Sequence, residues 1–218
     1  MSSRVPLFPL DVVLFPGELL PLHIFEPRYR RMLADCLEGD QRFGLTTAAP
    51  PGPGSIGCVA RIRAAEALAD GRSNIVVLGE RRFGVRALLD ADAPYLMAAI
   101  EEFGDTEGTA PLPNELADLR HLGGELRETL AILADRPGEG PEWAGDPELL
   151  SFQVAALAES DLEARQRLLA QRSTRDRTRA LVARLPELVT GVRGRAEVHI
   201  RARFNGKGHP GSDVVPGG

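Results

Sequence analysis

The chain has 218 residues, of which 43% are hydrophobic and 26% charged, and a formal net charge of −5. That is ordinary globular composition with enough length for a substantial core, which excludes fibrous and disordered classes. Of the 26 basic residues 25 are arginine and one is lysine, Lys207, so a phosphate-loop lysine, a Ser-Lys dyad and a Schiff-base lysine have no candidate in the body of the chain.

The first half reads as mostly strand. Val5-Pro6-Leu7-Phe8-Pro9-Leu10 cannot be helical, because its prolines remove donors and push the preceding residues toward extended backbone. Val12 to Phe15 is predicted as a short strand closed by a Pro16-Gly17 turn, and Leu19 to Phe25 as a second extended piece. Proline at this frequency suits strands that pair on one side only. A helix is predicted from Pro27. Proline is tolerated in a first turn, Glu26 can accept from the free N–H groups there, and Tyr29, Met32, Leu33, Cys36 and Leu37 recur at helical spacing before a Gly39 cap.

Further strands are predicted over Phe43–Thr47, Cys58–Ala64, Asn74–Gly79, Arg82–Ala87 and Tyr95–Ile100, with a Pro- and Gly-rich loop at 48–55 and a turn at Asp70-Gly71-Arg72-Ser73. Six to eight short strands with such turns predict a closed or half-closed antiparallel barrel or sandwich.

Residues 104–113 read as an acidic linker, with Glu101, Glu102, Asp105 and Glu107 solvated. Beyond it a helix over 114–134 carries Leu116, Leu119, Leu122, Leu126, Leu130 and Leu133, with Gly123-Gly124 as its weak point. A second helix is predicted over Pro147–Ala158. A Ser160/Glu163 capping box opens a third that runs to about Gln171, and Ser173 opens a fourth that Pro186 is expected to stop near Leu185. The fold class is therefore α+β: a β-rich, barrel-like lobe with one helix over 4–103, the linker, a bundle of about four helices over 114–190, and a basic, mobile tail over 191–218 with a strand-like patch at Glu197–Arg201.

The net charge is −11 up to Ser160 and +6 from Asp161 onward. Either the second region has an acidic partner or the two regions attract each other. Arg165, Arg172, Arg175 and Arg179 could neutralise phosphates, but no aromatic residues interleave with them and no groove-reading motif is present, so nucleic acid is disfavoured as a partner. Cys36 and Cys58 lack metal-ligand spacing and read as buried thiols. The histidines at 23, 121, 199 and 209 are scattered, so neither a metal nor a cofactor is expected. Met1–Pro6 lacks the apolar stretch of an export signal, and no run approaches the ~18 apolar residues of a membrane span. A cytoplasmic protein without a membrane partner is the expectation.

Leu7-Phe8-Pro9-Leu10, Val13-Leu14-Phe15-Pro16-Gly17, Leu20-Pro21-Leu22-His23-Ile24-Phe25-Glu26-Pro27-Arg28-Tyr29, Ile56-Gly57-Cys58-Val59-Ala60-Arg61-Ile62, Gly79-Glu80-Arg81-Arg82-Phe83 and Gln166-Arg167-Leu168-Leu169-Ala170 together resemble the N-terminal domain of Lon proteases over residues 4 to 185. The resemblance implies a β-rich lobe followed by a helical part that recognises substrate proteins, above all unfolded or damaged ones. The ATPase and Ser-Lys protease modules of that family have no counterpart here, so the implied role is stand-alone, non-catalytic binding of unfolded polypeptides or peptides. Alternatives are a peptidase or other hydrolase, and an adaptor for a partner ATP-dependent protease. Candidate peptide-binding residues are His23, Phe25, Arg28, Tyr29, Arg82 and Phe83. His23 with Glu26 could instead form an acid–base pair or a hydrogen bond inside the lobe, and Arg28, Tyr29 and Arg82 could tie elements together. Unpaired strand edges could take an extended peptide by strand addition.

Overall fold

The computed structural model describes residues 3–47, 50–136 and 142–205. Its strands are β1 (Ser3–Pro9), β2 (Leu19–Ile24), β3 (Arg42–Thr46), β4 (Ile56–Ala67), β5 (Ser73–Leu89) and β6 (Leu96–Phe103), with α1 (Pro27–Glu38) between β2 and β3. They form a sheet of order β2-β5-β4-β3-β1-β6 in which β6 also pairs with β5. Five strands therefore close into a small ring, and β2 hangs outside it on β5 alone. The ring is mixed rather than wholly antiparallel, because β1 runs parallel to β3.

Proline placement follows the pairing. β1 bonds β6 over Ser3–Leu7 and β3 over Leu7–Pro9, so each half of this proline-bearing strand is bonded along one side. The two strands expected over 74–79 and 82–87 are one 17-residue strand, β5. Its first half lies between β2 and β4, its second between β4 and β6, and register shifts between Val85 and Ala87 and at two points of β4 supply the bend that closes the ring. Gly79 sits at the change of partners. A Cβ there would lie 2.0 Å from the Phe15 carbonyl oxygen, so only glycine lets the connector pass so close.

That connector is the segment Val12–Phe15, which is not a strand. It is an extended wedge whose side chains divide between two cores. Leu14 joins the cluster between the sheet and α1, while Val13 and Phe15 enter the core of the helical region. A third cluster, including Val5, Leu7, Phe83, Val85 and Ile100, fills the ring itself.

α1 buries Tyr29, Met32, Leu33 and Cys36 as its periodicity requires, and leaves Leu37 41% exposed at the margin of the stripe. Glu26 does not cap it; that carboxylate goes to Arg28. Gly39 ends the helix at φ −104, and the left-handed residue is Gln41 at φ 62. The Cys36 thiol donates to the Arg42 carbonyl at 3.3 Å, and burial pushes its pKa up to about 12. Burial likewise raises that of Cys58. Iodoacetamide at pH 7.5 is therefore expected to label neither thiol in the folded protein and both in urea; rapid labelling of the folded chain would contradict this placement.

The helical region comprises α2 (Pro113–Leu133), α3 (Pro147–Ala158), α4 (Leu162–Ala170) and α5 (Thr174–Asn205). Asp146 caps α3, and Asp161, rather than Ser160, caps α4 by accepting from the Ala164 N–H at 2.8 Å. The Ser173 hydroxyl accepts from the Asp176 N–H at 3.1 Å, as its sequence signal requires.

The expected stop at Pro186 does not occur, and α5 runs for 32 residues. Pro186 lies on the exposed side, where its lost backbone bond is solvated, while the buried stripe of Leu181, Leu185, Val189, Val192 and Ala196 continues past it. Residues 191–205 are thus helix, not tail. The segment from 206, with Lys207 and His209, and residues 137–141 beside Trp143 lie outside the described residues. α5 runs parallel to α2: Arg175 and Arg179 meet Glu115, Arg193 meets Glu125, and His199 meets Asp135. Gly123 is a point of contact rather than weakness, since a Cβ there would come within 2.8 Å of Val154. Among the described residues, no helix is long and apolar enough to cross a membrane.

Candidate functional site

β2 presents an open edge. The Gly79 N–H donates to the Glu18 carbonyl at 2.9 Å, and the same register continues without a shift from Leu19 opposite Leu78 to Ile24 opposite Ser73. By alternation, Leu20, Leu22 and Ile24 turn their backbone groups toward β5, whereas Leu19, Pro21 and His23 turn theirs away from it. Among the described residues no other strand pairs there. Pro21 has no N–H, so the outward row lacks its middle donor.

The side chains alternate in the same phase. Leu20, Leu22 and Ile24 pack inward on the sheet core, while Leu19 is 61% exposed and Pro21 and His23 are exposed. Phe25, 59% exposed, extends the outward row beyond the strand. Across the sheet, Pro21 stands beside Val76, and Val76 beside Ala64. An open groove of about 430 Å³ runs over them and is bordered by His23.

His23 hydrogen-bonds Asn74 through Nδ1 at 2.8 Å, and its ring lies 6.1 Å from that of Phe25. Glu26 is not its partner: that carboxylate pairs with Arg28 at 2.9 Å, and the Arg28 guanidinium lies 4.5 Å from the Tyr29 ring centre. Tyr29 itself is buried on Phe8, at 4.2 Å between ring centres. His23, Phe25 and Arg28 therefore share the outer corner between β2 and α1, with Tyr29 underneath.

Arg82 and Phe83 are elsewhere, and both are closed to solvent. Phe83 fills the ring. The Arg82 side chain is fully buried at the junction with the helices, donating to the carbonyls of Leu169 (3.1 Å) and Gln171 (2.7 Å) and to the carboxylates of Glu148 (2.7 Å) and Asp105. Asp105 is not solvated linker either. Its side chain is 6% exposed and also receives Arg177 at 2.6 Å and the Thr174 hydroxyl. Arg177 in turn reaches Ser151 Oγ at 2.8 Å and lies 3.9 Å from the Phe152 ring centre. A second clamp is built on Arg165, which grips both Glu18 oxygens at 2.6 and 2.7 Å and donates to the Val13 carbonyl at 2.9 Å.

These contacts account for the uneven charge. Arg165, Arg175, Arg177, Arg179, Arg184 and Arg193 each pair with a carboxylate from the acidic first region, so the two regions attract each other. The residues missed by sequence reasoning are Leu19, Pro21, Ala64 and Val76. The first two were accessible from the period-2 row Leu19, Pro21, His23, Phe25, whereas Ala64 and Val76 join it only through strand pairing.

The family model described as "ATP-dependent protease La (LON) substrate-binding domain" matches residues 4–185. Lon protease 2 of Myxococcus xanthus is 29% identical over 176 residues, which are 76% of this chain and 21% of that protein. Lon protease of Anaeromyxobacter dehalogenans is 28% identical over 180 residues, 78% of this chain and 21% of its own length. The chain spans about a fifth of these relatives. Among solved structures, the Lon N-terminal domain protein from Xanthomonas campestris has a TM-score of 0.62 at 24% identity, covering 83% of this chain and 98% of that one. The N terminal domain of Mycobacterium avium complex Lon protease also gives 0.62, at 19% identity, with 84% and 98% covered. Both share this fold, and with the family match extending from β1 into α5, the chain belongs to the substrate-binding domain family of ATP-dependent protease La (LON).

Proposed function

We propose that this chain binds unfolded or extended segments of other proteins, without chemistry of its own, along β2 and the corner formed by His23, Phe25 and Arg28. The open β2 edge with its outward apolar row carries the reading. Strand addition draws affinity from backbone hydrogen bonds that any sequence can make, and the shallow apolar groove adds a preference for apolar side chains. One missing donor and a short strand keep the affinity modest, roughly micromolar. Tyr29 supports the corner from below. Arg82 and Phe83 hold the scaffold rather than the peptide. Association with an ATP-dependent protease, in the cytoplasm, is part of the proposal and draws on the Lon proteases among its relatives.

Fluorescence anisotropy with a labelled, reduced and carboxymethylated polypeptide tests it, with a folded protein as control. Leu19→Asp combined with Phe25→Asp changes only exposed positions and is expected to weaken binding by about tenfold or more, since it removes two apolar contacts and places charge at the edge. Unchanged binding in the double variant, or equal binding of folded and unfolded probes, would refute the assignment.

A further inference from the structure

A second open pocket, of about 470 Å³, lies between the ring and the turn that joins α4 to α5. Ile56, Phe103 and Ala170 supply its apolar walls, and Arg86 and Arg172 its cations. The two arginines differ. Arg86 is taken by Glu101, and the remaining acid of the lining, Glu102, faces Arg81 at 3.8 Å. Arg172 is exposed and rests over the Phe103 ring at 5.2 Å, and among the described residues no carboxylate pairs with it. This is the exception at the boundary between the two regions, where Arg165, Arg175, Arg177, Arg179 and Arg184 all have acidic partners. Phe103 is itself fixed from below by buried Arg82, at 4.8 Å, so the platform under Arg172 is rigid.

We infer that this pocket takes the C-terminal residue of a bound polypeptide, with the α-carboxylate on Arg172 and an apolar side chain against Ile56 and Phe103. A chain end is favoured over an internal Asp or Glu because one residue then supplies both groups: the carboxylate and the apolar side chain leave the same Cα, as the pocket's adjacent cation and apolar wall require. A guanidinium whose charge is not spent on the protein gains a charge-assisted, potentially bidentate bond without breaking an existing one. The inference rests on the polypeptide-binding reading above and specifies which part of a client is held at this second place.

The test uses a short labelled peptide ending in leucine, prepared as the free acid and as the C-terminal amide, with the full chain and its Arg172→Gln variant. At low salt the acid is expected to bind about 5- to 10-fold tighter than the amide, and the gap to narrow as salt rises. Arg172→Gln should abolish the gap, chiefly by weakening binding of the acid. Equal binding of acid and amide overturns this inference and leaves the proposed function standing. A gap that persists in Arg172→Gln also overturns it, and failure of both peptides and of the unfolded polypeptide to bind overturns both readings.

Discussion

Asp105→Asn is expected to lower stability by roughly 3–5 kcal/mol at pH 7, because it leaves Arg82 and Arg177 buried with part of their compensating charge removed. For a chain of this size the melting temperature should fall by on the order of 10 °C. The pH dependence has a definite sign. Burial alone would raise the Asp105 pKa, but the hydrogen bonds from Arg177 and Thr174 and the charges of Arg177 and Arg82 outweigh it and hold the carboxyl below its ordinary value of 3.8. A depressed carboxylate contributes its full stabilisation above that ordinary value and loses it as the pH falls through the folded-state value. The parent should therefore lose stability below about pH 4 more steeply than the variant, whose asparagine has no proton to take up. Urea midpoints at pH 7 and pH 3 measure both effects. A loss under about 1 kcal/mol at pH 7 would mean that water reaches the cluster and screens it.

Phe15→Ala is expected to cost about 3–5 kcal/mol, as for other large side chains removed from a close-packed interior. Phe15 is fully buried, stacks on Phe152 at 5.5 Å and carries the Arg165 guanidinium at 4.4 Å. Its removal opens a cavity between connector and helices and takes the ring from beneath the Arg165–Glu18 clamp, so the ring and the helical region should loosen together. Equilibrium denaturation followed by Trp143 fluorescence and by far-ultraviolet dichroism checks this. Both probes should shift to lower denaturant in step, and a shift confined to one would show that the wedge serves only one of the two cores.

How much of this could be read from the residues depends on the reach of the interaction. α1 and α3 were legible because a proline in the first turn and an apolar stripe are local signals. β5 was read as two strands because Glu80-Arg81 interrupts the apolar pattern. The chain stays extended there because its partner changes, not because it ends. α5 was stopped at Pro186 by a local rule that a continuous buried stripe overrides. In the candidate site, His23, Phe25 and Arg28 were recognisable as one short string. Arg82 was grouped with them from the Gly79–Phe83 string, with a tie between elements as the alternative, and the acids that bury it, Asp105 and Glu148, lie 23 and 66 positions away. No periodicity reports an ion cluster assembled from β5, the end of β6, α3 and α5.

The proline at the centre of β2 has a consequence for self-assembly. A foreign strand laid along the edge loses one hydrogen bond at Pro21, where its carbonyl finds no N–H. A second copy of the same edge brings a second proline and loses two whenever both prolines lie within the paired stretch. The difference, about 1 kcal/mol, favours a proline-free strand over another copy of the chain. An open sheet edge with a proline at its centre is thereby discouraged from polymerising through itself.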